Sequence, residues 1–144
     1  MKHIAILSAF AVAGFAVAGF VTAAHAESPS ALARQHIEAV ASADVTKIMS
    51  QYSAGAWLNW VGGPLDGTYN GPESMKTVWT KFTGSQAPLT VKIGDLHENG
   101  NPAGTTVTTD VTFMGKAPIK VHYVMLYRGG HLVDETWQID PKLP

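Results

Sequence analysis

Residues 31–82 read ALARQHIEAVASADVTKIMSQYSAGAWLNWVGGPLDGTYNGPESMKTVWTKF, and the order of elements within them decides the fold. Val45, Ile48, Met49 and Tyr52 fall at i, i+3, i+4 and i+7, the spacing that aligns four side chains on one helix face. Met75, Val78, Trp79 and Phe82 repeat it behind the start signal Gly71-Pro72-Glu73. Between the two lies Ala56-Trp57-Leu58-Asn59-Trp60, a strand-like run closed by Gly62, Gly63 and Pro64. Upstream, Ser28-Pro29 opens a further helix with Ser as N-cap and Pro in its first turn. That helix carries Leu32, Ala33, His36, Ile37, Val40 and Ala41 on one side and Arg34, Gln35 and Glu38 on the other. Asp44 caps the helix that follows.

From Leu89 the period changes from 3.6 to 2. Leu89, Val91 and Ile93 alternate with polar residues, and so do Val107, Thr109, Val111 and Phe113 after a turn at Asn99-Gly100-Asn101-Pro102. Gly115-Lys116-Ala117-Pro118 turns into Ile119–Tyr127, and Arg128-Gly129-Gly130-His131 into Leu132–Ile139. Four strands joined by short turns predict an antiparallel sheet. Helices first and strands after predict an α+β layer architecture, with helices closing one face of a curved sheet. Thr83-Gly84-Ser85 is the expected end of the third helix. Leu65–Gly71 is expected to form a hairpin corner or a short strand.

This ordered set resembles the front half of the NTF2-like superfamily, above all its SnoaL-like and ketosteroid-isomerase-like branches. The resemblance implies a cone of three N-terminal helices packed on a curved antiparallel sheet, over about residues 30–140. Aligned through Ile37-Glu38, Asp44, Ile48 and Tyr52, it puts His36 where the isomerases carry an oxyanion-hole tyrosine. It also puts Trp60 where they carry their general-base aspartate. An indole takes no proton from carbon, so steroid isomerisation by that route is not expected. Asp66 lies close by in the loop and reads as a turn residue.

The first 26 residues read as a signal peptide: Lys2 and His3, an apolar run from Ile4 to Val21, and Ala24-His25-Ala26 as an A-x-A site. Cleavage after Ala26 would leave residues 27–144 as one domain, periplasmic or secreted, with no membrane attachment. The rival is an uncleaved anchor, since the apolar run approaches bilayer-spanning length. Repeated Ala and Gly weaken that rival. The chain has no cysteine, so neither a lipidated cysteine nor disulfides enter, and packing alone must hold the domain. A formal net charge of −1 without basic clusters gives no reason to expect nucleic acid as partner.

Several residues could carry chemistry. His36 sits on the apolar stripe of its helix, either as a core histidine bonded to a carbonyl or as a donor or base in a cavity. Glu135 shares its side of the last strand with Val133, Trp137 and Ile139. A carboxylate taken out of water there would suit acid–base work. A bulge that swaps the faces would turn it to solvent and hand its place to Asp134. Trp57, Trp60, Trp79 and Trp137, with Tyr52, Phe113 and Tyr123, are either plain core or the walls of a cavity for a flat apolar ligand. The binding residues expected are Tyr52, Asn59, Trp60, Trp79, Tyr123 and Trp137. His36 and Glu135 are the catalytic pair if the protein is an enzyme, and the resemblance implies that both share one pocket with Trp60.

No metal or cofactor is expected. His36, His97, His122 and His131 have no ligand spacing, and no phosphate loop or Gly-x-Ser-x-Gly elbow occurs. On Ile119–Arg128, Val124 and Leu126 form an apolar patch on the outward face. That patch, together with the resemblance, suggests a homodimer through the outer sheet. Three functions stay open: a non-catalytic binder of a small apolar or aromatic molecule, an isomerase-, cyclase- or hydrolase-type enzyme using His36 and Glu135, and a structural or partner-binding module with a filled core.

Overall fold

The computed structural model describes residues 25–144; all but the last two residues of the expected leader lie outside the described residues. Helix α1 (Pro29–Ala41) starts as its sequence dictates, with the Ser28 hydroxyl accepting the Ala31 N–H at 3.2 Å. It buries Ala33, His36, Ile37 and Val40. Ala43 takes a left-handed conformation (φ 60°) that turns the chain, and the Asp44 carboxylate accepts the Lys47 N–H at 2.9 Å to begin α2 (Val45–Ser50).

Helix α2 stops short of the expected Tyr52. The Gln51 carbonyl accepts the Leu132 N–H, and Tyr52 pairs with Leu132, so sheet hydrogen bonds claim the chain before another helical turn forms. Tyr52 is thus the first residue of strand β1 (Tyr52–Val61), longer than the run read from sequence. Along β1, Ala56, Leu58 and Trp60 point inward, while Trp57 faces solvent at 48% exposure, which removes it from the expected aromatic core. A turn in which the Gly62 N–H donates to Asp66 Oδ1 at 2.6 Å leads to β2 (Gly67–Asn70), antiparallel to β1. Asp66 is therefore the turn residue its position implied.

Helix α3 (Pro72–Gln86) buries Met75, Val78, Trp79 and Phe82, the face read from their spacing. It runs past the expected fraying point. Thr83 is buried and its hydroxyl donates to the Trp79 carbonyl at 2.9 Å, which keeps the last turn in place.

The remaining strands are β3 (Thr90–Ile93), β4 (His97–Asn101), β5 (Gly104–Met114), β6 (Pro118–Arg128) and β7 (His131–Ile139). The sheet order is β2-β1-β7-β6-β5-β3, with β4 also on β5. The long β5 is shared on one edge by β4, opposite residues 104–108, and β3, opposite residues 111–114. The sheet is mixed rather than purely antiparallel, because β1 runs parallel to β7. A parallel pair needs no short turn between its members, so nothing local in the sequence announces it.

On β6, Val121, Tyr123, Met125 and Tyr127 line the inner face as their alternation requires. A register shift in β7 pairs Leu126 with Asp134 but Tyr127 with Leu132. This bulge at Val133 turns Leu132 inward, contrary to simple alternation, and leaves Glu135 on the inner face beneath the helices. The architecture is the α+β cone expected: three helices against the inner face of a curved, open sheet.

Candidate functional site

Four elements deliver one polar group each to the same buried point. His36 comes from α1, Tyr52 from the head of β1, Trp79 from α3 and Glu135 from β7. His36 Nε2 lies 3.2 Å from Glu135 Oε2, and neither side chain has any exposure. The Tyr52 hydroxyl donates to Glu135 Oε2 and accepts the Trp79 indole N–H at 3.0 Å. The chain of donation runs from Trp79 through Tyr52 to Glu135, with His36 reaching the same carboxylate from the other side. The imidazole stands edge-on to Tyr52 and Trp79, at ring-centre distances of 5.4 and 6.0 Å.

Burial, reinforced by the Glu135 charge, pushes the Tyr52 phenol well above its ordinary range, so Tyr52 is a fixed donor rather than a base. Burial and Glu135 also raise Tyr123. On the opposite face of the sheet, burial and then Glu135 raise Asp134 as well.

Next to this network stands an aromatic stack centred on Trp137. Trp60 stacks on it at 4.6 Å and Phe113 at 5.2 Å, while Trp79, Phe82 and Tyr123 meet it edge-on. These rings fill the cone behind Trp60. Four polar atoms here have no hydrogen-bond partner among the described residues: His36 Nδ1, Trp60 Nε1, Tyr123 Oη and Trp137 Nε1.

The open space lies on the other side of Trp60. A pocket of about 770 Å3 is walled by Trp60, Leu65, Phe82, Ile119 and Ile139, and both Lys81 and Lys120 border it. Of the expected binding residues, only Trp60 lines it. Tyr52, half-buried, and Trp79, Tyr123 and Trp137, fully buried, belong to the network and stack behind. Asn59 is on the outer face of β1, where its amide donates to Asp134 at 3.4 Å and accepts from Thr68. Its neighbour Trp60 points inward, and strand alternation therefore sends Asn59 the other way.

His36, Glu135 and Trp60 do converge through the aromatic cluster, but the acid–base pair does not line the open pocket. Phe82, Ile119 and Ile139 were readable as inward positions, by helical face for the first and strand alternation for the others. Lys81 and Lys120 had no such signal.

A second, smaller pocket of about 310 Å3 lies around the outward pair Asp110 and His122, whose Oδ1 and Nδ1 are 2.6 Å apart. Among the described residues no cluster of three or more His, Cys, Asp or Glu is arranged to hold a metal ion. No described helix is long and apolar enough to cross a membrane.

No family profile and no curated protein matches this chain. Solved structures do. A protein with a cystatin-like fold from Nostoc punctiforme PCC 73102 superposes with a TM-score of 0.66 at 16% identity, over 79% of this chain and 90% of its own. An NTF-2 like protein from Burkholderia xenovorans LB400 gives 0.61 at 17% identity, over 79% and 85%. A ketosteroid isomerase-like protein from Erwinia carotovora atroseptica SCRI1043 gives 0.60 at 16% identity, over 79% and 93%. At such identities the likeness speaks for architecture and not for activity. The chain has the NTF2-like fold, with a buried aromatic cluster inside its cone.

Proposed function

We propose that the protein is exported to the periplasm and there binds a small apolar or aromatic molecule without transforming it. The observation that carries this is the division made by Trp60. In front of the indole is an open, largely apolar pocket of ligand size; behind it His36 and Glu135 are fully buried. A general acid or base must come within hydrogen-bond reach of the atom it serves. His36 and Glu135 are fully buried and do not border the pocket, so a molecule in the pocket is out of their reach.

The acid–base alternative rests on the direct His36–Glu135 contact. It requires the packing around that fully buried pair to open, against contacts such as the hydrogen bond from Trp79 to Tyr52. On the outer sheet face Val124 and Leu126 are half-buried, among threonines and Asp134 of the neighbouring strands. We include a homodimer through that face in the proposal.

N-phenyl-1-naphthylamine, a neutral dye that fluoresces in apolar surroundings, tests the binding reading. It has about 17 non-hydrogen atoms, and at ~0.3 kcal/mol per atom it should bind with a Kd on the order of 0.1 mM. Raising the protein against a fixed micromolar dye concentration should give saturable fluorescence. Ser85→Trp, which fills the pocket, should abolish it; Glu135→Gln should leave it unchanged. Absence of saturable binding would leave the structural or partner-binding reading in its place.

A further inference from the structure

We infer that the molecule held beside Trp60 is an amphipathic anion, with an apolar body against the aromatic wall and one acidic group between Lys81 and Lys120. The inference rests on the pocket being the ligand site and adds the chemical class of the ligand.

The polar groups of the pocket are unbalanced. Among the described residues, Lys81 and Lys120 are its only charged lining residues, and no carboxylate borders it. Lys81, on the last turns of α3, is exposed and makes no ion pair among the described residues. Lys120, near the start of β6, donates one ammonium hydrogen to the Leu143 carbonyl at 2.5 Å, and two remain for other acceptors. Asp140, next in the chain after Ile139, accepts the Lys142 N–H at 2.9 Å and does not line the pocket.

The C-terminal end of α3 opposes an anion, but its partial charge of roughly half a unit is outweighed by two full positive charges. The lining thus offers two ammonium groups beside the neutral Ser85 and Gln86, a charge balance that suits an anionic group. Two point-charge lysines without an arginine fork fit a singly charged acid better than a polyphosphate. The apolar remainder, built from Leu65, Phe82, Ile119 and Ile139, would hold the rest of such a molecule.

A matched pair of dyes separates this inference from the pocket reading beneath it. 1-Anilinonaphthalene-8-sulfonate has the same rings as N-phenyl-1-naphthylamine plus one sulfonate. Two partly exposed charge contacts predict about tenfold tighter binding of the sulfonate at low ionic strength. The advantage should shrink as salt is added. Lys81→Gln should remove part of it, and Lys81→Gln with Lys120→Gln nearly all, while affinity for the neutral dye stays within about twofold. The Lys81 variant leaves the Lys120–Leu143 contact intact, and neutral-dye binding reports that each variant still has its pocket. Equal binding of both dyes to the native protein, or a sulfonate preference that survives both substitutions, overturns the anionic class and leaves the pocket standing. Failure of both dyes to bind removes the pocket and this inference together.

Discussion

Removing one oxygen atom at Tyr52 should cost this protein a large share of its stability. The Tyr52 hydroxyl is the middle of the buried network: it accepts from Trp79 Nε1 at 3.0 Å and donates to the Glu135 carboxylate. Tyr52→Phe keeps the ring and its edge-on contact with His36. The substitution deletes a hydrogen bond to a charged group, worth about 1.5–3 kcal/mol. It also leaves the Trp79 N–H buried without an acceptor, a further 1–3 kcal/mol or so. Allowing for partial relaxation, the expected loss is about 3 kcal/mol, against a total of roughly 5–15 for a domain. In urea, with m of about 1.5–2 kcal/mol/M, the midpoint should fall by about 1.5–2 M. Combining it with Glu135→Gln supplies an internal check. Because one of the two lost interactions ends on Glu135, the cost of Tyr52→Phe in that background should be smaller by about 1 kcal/mol or more. A loss below about 1 kcal/mol with strict additivity would refute the network as an energetic unit.

Alkaline pH should unfold the protein through its inner tyrosines. Burial raises the phenols of Tyr52, Tyr123 and Tyr127 in the folded state, with Glu135 adding to each, so their contribution is complete below the unfolded value near pH 10 and is lost as pH rises above it. Three such groups give a slope of about 4 kcal/mol per pH unit, and phenolate absorbance from them should appear only with unfolding; early phenolate absorbance in the folded protein would contradict their burial. Leu126→Glu should convert a dimer into monomer by light scattering, and a native protein already monomeric ends the homodimer proposal. Intact mass of periplasmic material should begin at Glu27, whereas Met1 retained in the membrane fraction would make the protein an anchored one.

Local periodicity made much of this fold legible. The helix faces of Ile48 and of Met75, Val78, Trp79 and Phe82, and the inward residues of β5 and β6, follow from spacing alone, because each repeats a local pattern several times. What escaped depends on partners distant in the chain. Tyr52 continues the helical spacing of α2, yet Leu132, eighty residues on, draws it into the sheet. The direction of β1 beside β7 is likewise invisible locally. The inward turn of Leu132 needs the bulge at Val133, which alternation does not anticipate. At the site, the inward side of His36 was readable from the apolar face of its helix. Its meeting with Glu135 followed instead from the resembled fold, since the bulge at Val133 left the face of Glu135 open in the sequence. The placement of Asn59 in the pocket ignored the alternation that sends it outward once Trp60 points in. Lys81 and Lys120 are single polar residues with no periodic signature, and their common pocket appears only when α3 and β6 are brought together.

The central claim is that a ligand sits on the open side of Trp60, and the four indole N–H groups test it most directly. A proton–nitrogen correlation spectrum of the protein should contain one indole signal each from Trp57, Trp60, Trp79 and Trp137. On titration with 1-anilinonaphthalene-8-sulfonate, the Trp60 signal should move most, Trp79 and Trp137 little, and the outward Trp57 not at all. A dominant shift at Trp57, or saturation with all four signals unmoved, would contradict the account.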